Sequence, residues 1–172
     1  MSLDVGAVKL VAALGALMAD STQALAYEEA LRGVTQQQQV LDGIRARAST
    51  LLGIAAISAS FLGGVALNKD SPRGLTWIPI GAFVAVGLLT TWILLPIRGW
   101  TFSLDAKILI KEYVEGNSPA ELPEMYRDLA LYLGRHYVSN DKRLGRLFLL
   151  FKLASGLLVV EVVTWLLVLG WK

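Results

Sequence analysis

The sequence has no cysteine, a single histidine (His136) and five prolines among 172 residues. Without cysteine there is no disulfide and no thiolate metal site. A lone His136 excludes any site that needs two imidazoles from one chain, and its neighbours Arg135 and Tyr137 mark it as a surface residue. Charge is scarce as well. Asp, Glu, Lys and Arg make up 17% of the residues, against about 25% in a soluble domain. A net charge of +2 gives no reason to expect a nucleic-acid polymer as partner. There is no GxxxxGK[ST] phosphate loop, no GxSxG elbow and no HExxH zinc helix. Glu121, Glu124 and Asp128 share a helix face but alternate with basic residues, which reads as a solvated surface. No catalytic residue, metal ligand set or cofactor is assigned, and the chain reads as a non-enzyme.

What is abundant is apolar. Hydrophobic residues reach 55% and the mean hydropathy is +0.55. They collect in long uncharged runs, which call for a lipid bilayer as solvent. Residues 49–67 carry no charge, and at about 1.5 Å per residue they just cross a hydrocarbon core of about 30 Å. The segment 68–74 contains Pro72 and Gly74 and breaks the helix. A second uncharged run follows at 75–97, giving a transmembrane hairpin. The third span, at 148–171, holds Lys152 near one end and Glu161 near the middle.

The flanking segments read as further helices. Residues 5–19 form an apolar run interrupted by Lys9 and closed by Asp20. Asp4 leaves the stretch before it poorly basic, so we read an amphipathic helix rather than a cleaved signal, despite Ala24-Leu25-Ala26. Over 28–48, Leu31, Val34, Leu41, Ile44 and Ala48 recur at spacings of three, four or seven, with Gln38 filling a seam position. In the polar region, 105–115 reads as a short helix that Gly116 and Pro119 interrupt. Pro123 opens another helix, running to about 138, with Met125, Leu129, Leu133 and Tyr137 on one face. Ser139-Asn140-Asp141 reads as the start of a last helix that continues into the third span. The expected fold is an all-α integral membrane protein with three transmembrane helices. Its segments are N-terminal helices at 1–48, the hairpin at 49–97, a helical region at 98–146 and the third span at 147–172.

The Lys and Arg residues set the expected orientation. One side holds Arg45, Arg47, Arg98, Arg143 and Arg146 next to the spans, and the other only Lys69, Arg73 and Lys172. The N-terminus and the region 98–146 are therefore expected in the cytoplasm and the C-terminus outside. Trp77 and Trp171 then fall at the outer interface and Trp100 at the inner one, where aromatic rings prefer to sit.

Glu161 is the sharpest single signal. An ionised carboxylate at that depth costs several kcal/mol, so it is expected to be protonated, paired or next to water. Ser58 and Ser60 lie at a similar depth on the first span and are candidate hydrogen-bond partners. These three are the candidates for a polar or gating element in the membrane core. Gly53, Ser60, Gly63 and Gly64 on the first span, with Gly81 and Ala85 on the second, form small faces suited to close helix packing. The packing is either within the chain or between copies. Lys142, Arg143, Arg146 and Lys152 form a juxtamembrane basic cluster for anionic lipid or another anionic ligand.

The stretch 39–54 also resembles the polar helix that enters the first span of Pycsar-type transmembrane effectors. There an aspartate, a basic residue, a small residue and two leucines lead into the membrane, roles that fall here to Asp42, Arg47, Ala48, Leu51 and Leu52. The later order is similar too: a second span ending in Pro96, a helix containing Asp128-Leu129-Ala130, and the basic stretch Lys142-Arg143-Leu144 before a last span. The resemblance covers residues 28–170. It implies a role in bacterial antiphage defence, in which a nucleotide second messenger activates a membrane protein that breaks the permeability barrier. With the small faces and Glu161, the expectation is a homo-oligomeric effector or channel of the inner membrane that answers a cytoplasmic, cyclic-nucleotide signal. It carries no catalytic residues, and no cyclic-nucleotide-binding module is recognisable. The competing expectation is a non-enzymatic membrane subunit that anchors a soluble protein partner through residues 28–48 and 98–152.

Overall fold

A computed structural model describes residues 5–67, 74–96, 99–102, 104, 110–115 and 121–170, with α1 side chains described from Thr22 to Ala66. Every regular element among these residues is helical: α1 (Val5–Leu67), α2 (Trp77–Leu94), a π-helical turn (Ile110–Val114) and α3 (Leu122–Gly170). Each of the three α-helices is long and apolar enough to cross a membrane. At about 1.5 Å per residue, α2 with its 18 residues spans about 27 Å and just fills a bilayer core.

The two long helices are less interrupted than the sequence suggests. The expected amphipathic helix, polar helix and first span are one helix, α1, because nothing between Asp20 and Ser49 breaks it. Gly33 and Gly43 are tolerated, and the glutamine tract at 36–39 is helix-compatible. Likewise Ser139-Asn140-Asp141 lies inside α3 and starts nothing. Of the short helix expected at 105–115, the described part is the π-turn alone. Trp171, Arg98 and the segments 68–73 and 116–120 lie outside the described residues. Pro96 comes two residues after the end of α2, beyond its C-cap Leu95, where a helix cannot continue. Gly99 then adopts a φ of 96°, a backbone conformation that a side chain would strain.

The chain divides into two units, residues 1–38 with 99–141 and residues 39–98 with 142–172. Each has its own seam. In the first unit α1 and α3 run parallel, pairing residues about 100 positions apart. The Tyr27 and Tyr126 rings lie 5.6 Å apart, and Gln37 donates from Nε2 to the Tyr137 carbonyl at 3.0 Å. Val34, Gln37, Leu129, Leu133 and Asn140 are buried. This corrects the seam read from sequence: Gln37 is inside and Gln38 outside, and Leu31 is exposed. Counting back from Leu41 and Ile44 in steps of four and three leads to Gln37 and Val34, the period of 3.5 that parallel helices need.

Asn140 explains why α3 does not break. Its Nδ2 donates to the carbonyl of Thr101 at 3.0 Å, so the amide that would otherwise cap a helix is engaged with another segment. Asn140→Ala is expected to cost about 1 kcal/mol and to speed amide hydrogen exchange around residues 99–102. Unchanged exchange there would show that Asn140 does not hold this segment.

In the second unit α2 runs antiparallel to α1 and α3. Leu51, Ala55, Val86 and Ala154 form one buried layer, with Phe83, Leu89, Phe151, Leu157 and Leu158 around it. Ala66, Trp165 and Val168 form the next, with Leu62, Leu75 and Ile80. The outward surface is also apolar: Ile57, Phe61, Leu88, Trp92, Leu153, Val159 and Leu167 are all more than half exposed. An apolar surface of this kind belongs in lipid.

Candidate functional site in the membrane-spanning bundle

Four polar or charged side chains are buried among the described residues: Gln37, Thr90, Asn140 and Glu161. Three of them form hydrogen bonds. Gln37 and Asn140 donate to backbone carbonyls as described, and the Thr90 hydroxyl donates to Val86 O at 2.8 Å within its own helix. Glu161 is the exception. It is 0% exposed, and neither carboxyl oxygen has a hydrogen-bond partner.

The heptad pattern of α3 places it there. Leu144, Leu147, Phe151, Ala154, Leu158, Glu161, Trp165 and Val168 follow one another in alternating steps of three and four, so Glu161 occupies a seam position between the Ala154 layer and the Trp165 layer. The adjoining segments of α1 and α2, within 49–67 and 75–97, contain no charged residue at all. Among the described residues, α1 and α2 therefore offer no counter-ion within these segments, and Lys152, nine residues away on α3, is exposed. One turn further along α3, the Trp165 indole N–H is also buried without an acceptor. The core thus holds two unsatisfied polar groups, one acidic and one a donor, on the same face of α3.

The serines do not complete this site. Ser60 is exposed, and its hydroxyl donates to Ala56 O at 2.8 Å. Ser58 is half-buried, and the hydrogen bond expected from either serine to Glu161 is not formed.

The small residues divide into two sets. Gly63 is an internal packing position: a Cβ there would lie 3.2 Å from Cζ2 of Trp165, so the absence of a side chain is what seats the indole. Gly53, Gly64 and Gly81 have nothing within 4 Å of such a Cβ. They are exposed, as is Ser60, and Ala85 is half-buried. Gly53, Ala56, Ser60 and Gly64 therefore form a small-residue face on α1 directed away from the chain's own core. In the basic cluster Lys142, Arg146 and Lys152 are exposed and Arg143 is half-buried. His136 packs against Tyr132 at 4.5 Å, a surface pair on one helix.

The signal that identifies Glu161 was readable in the sequence. The burial of Trp165 against Gly63 was not, because an indole at the end of a span is as often a lipid-facing anchor. No family model, curated protein or solved structure matches this chain.

Proposed function

We propose that the protein is a membrane-perturbing effector or channel that works as a homo-oligomer. The observation that carries this reading is the fully buried, unpartnered carboxyl of Glu161 in an otherwise apolar bundle. A buried acidic group without partners weakens a fold, and a side chain that breaks a packing rule in this way is the usual mark of a functional position. In the packed bundle the carboxyl is dry. Moving α3 away from α1 and α2 lets water reach it, and hydration of the charged form stabilises that opened state. Several copies that meet through the small face Gly53–Ala56–Ser60–Gly64 would place their opened seams around a common wet path.

The excess of Lys and Arg beside the spans supports an orientation with the N-terminus and the region 98–146 in the cytoplasm, and the resemblance supports a bacterial inner membrane. The order of features shared with Pycsar-type effectors supports antiphage defence as the setting and a cyclic nucleotide as the signal. A specific observation favours the second reading, an anchor for a soluble partner. Leu25, Leu131 and Val138 in the first unit are more than half exposed, although that unit lies beyond the uncharged runs.

Dye-loaded liposomes containing the purified protein separate the two. Leak that rises when a cyclic nucleotide is added supports an effector with its own sensor. Leak without any nucleotide supports a pore and removes the nucleotide from the reading. Tight liposomes under every condition, with the protein shown to be inserted and helical, would overturn the effector and leave the anchor.

A further inference from the structure

One end of the second unit carries a belt of cations, four of which form no ion pair among the described residues. Roughly three helical turns below the layer of Ala55, Ala154 and Val86, both long helices become basic at one level. Arg45 and Arg47 stand on α1, and Lys142, Arg143 and Arg146 on α3. The parallel register of α1 and α3 sets the two groups at the same level, with Arg45 and Arg47 on different faces of α1, and antiparallel α2 ends at Leu94 near that level. Arg47, Lys142 and Arg146 are exposed and Arg45 is half-buried. None of these four is in an ion pair among the described residues. Asp42 and Asp141 lie within a turn, yet they pair with none of them. The Arg45 Nε–H is turned away from solvent and has no acceptor.

Immediately above this level the surface changes character. Ile54, Phe148, Leu149 and Leu153 are exposed and apolar. Lys152, also exposed, sits among them. The Lys152 stem can lie along this apolar surface while its ammonium reaches a phosphate at the headgroup level. A ligand matching both parts needs an anionic head and an acyl tail. A free phosphate would use only the lower part.

We propose that Arg45, Arg47, Lys142 and Arg146, with Lys152 above them, form a binding site for anionic phospholipid headgroups. The guanidinium groups suit phosphate oxygens, and the cations of both long helices form a belt at the level of the lipid headgroups. The proposal is independent of whether the bundle leaks.

The test uses the full chain in nanodiscs of mixed phosphatidylglycerol and phosphatidylcholine, with the lipids retained on the released protein counted by native mass spectrometry. Near an anionic surface each Lys or Arg contributes severalfold in affinity, so we expect wild type to retain phosphatidylglycerol over phosphatidylcholine by about tenfold. That preference should fall as salt is raised. The combined variant Arg45→Gln, Arg47→Gln, Lys142→Gln and Arg146→Gln should retain both lipids about equally. Arg127→Gln with Arg135→Gln, in the other unit, should behave as wild type. Equal retention by wild type, or an undiminished preference in the fourfold variant, overturns the site. If inorganic phosphate or cyclic AMP at millimolar concentration displaces phosphatidylglycerol, the site belongs to a soluble phosphate and the lipid assignment fails. The salt series on wild type needs no variant to fold.

Discussion

Glu161→Leu is expected to make the bundle more stable and the membrane tighter at the same time. The stability half follows from burial. Both carboxyl oxygens lack a partner and the side chain is fully enclosed. An unsatisfied buried polar group costs about 1–3 kcal/mol, and more if charged, whereas leucine fills a similar volume with no polar atom. Purified in detergent, the Leu variant should therefore unfold at a higher temperature than wild type. The leak half follows from the proposed mechanism. Leucine gains nothing from water, so the opened bundle loses its stabilisation and dye release from liposomes should drop to background. Glu161→Gln separates charge from polarity: it keeps a buried polar group, so its thermal stability should stay near wild type while leak falls. A Leu variant less stable than wild type would mean that the carboxyl has a structural partner in the assembled protein. A Leu variant that is more stable and leaks as before would remove Glu161 from the path.

That combination, stability gained and activity lost, is the usual relation at positions kept against packing preference. It also explains why Glu161 could be found in the sequence while its environment could not. A charged residue in a long uncharged run is visible by composition alone. Whether it faces lipid, a neighbouring copy or its own bundle depends on the rotation of α3, which Leu144, Leu147, Ala154 and Val168 set through the heptad seam. The spans were legible for the same reason that Glu161 was, since an absence of charge is a strong local signal. Helix ends were less so. Ser139-Asn140-Asp141 has the chemistry of a helix start, and only the long-range hydrogen bond from Asn140 to Thr101 overrides it. The Gln38-for-Gln37 error has a similar origin. In a tract of four glutamines composition is uniform, and only the phase of the seam decides which one is buried.

Gly63 and Gly64 are neighbours in sequence and are expected to respond in opposite ways to the same substitution. At Gly63 a new Cβ meets the Trp165 ring at 3.2 Å, and Trp165 is only 2% exposed, packed with Ala66 and Val168. The indole has little room to retreat. Gly63→Leu adds a whole side chain at that contact, and overpacking of this kind costs about 1–3 kcal/mol or more. The expected result is a lower unfolding temperature, with the loss arising inside one chain rather than between chains. At Gly64 nothing lies within 4 Å. Gly64→Leu removes the helix penalty of glycine, about 1 kcal/mol, so the fold of the single chain should be kept or strengthened. What it changes is the small face, where a leucine holds an approaching helix away. The oligomer, followed by cross-linking in membranes and by mass in detergent, should dissociate, and leak should fall with it. An intact oligomer and undiminished leak in the Gly64 variant would show that copies do not meet through Ala56, Ser60 and Gly64. A Gly63 variant with unchanged thermal stability would show that Trp165 can be seated elsewhere in the bundle. Because the two positions adjoin on α1, expression level, insertion and lipid exposure are closely matched, and a difference between them isolates the internal contact from the external one.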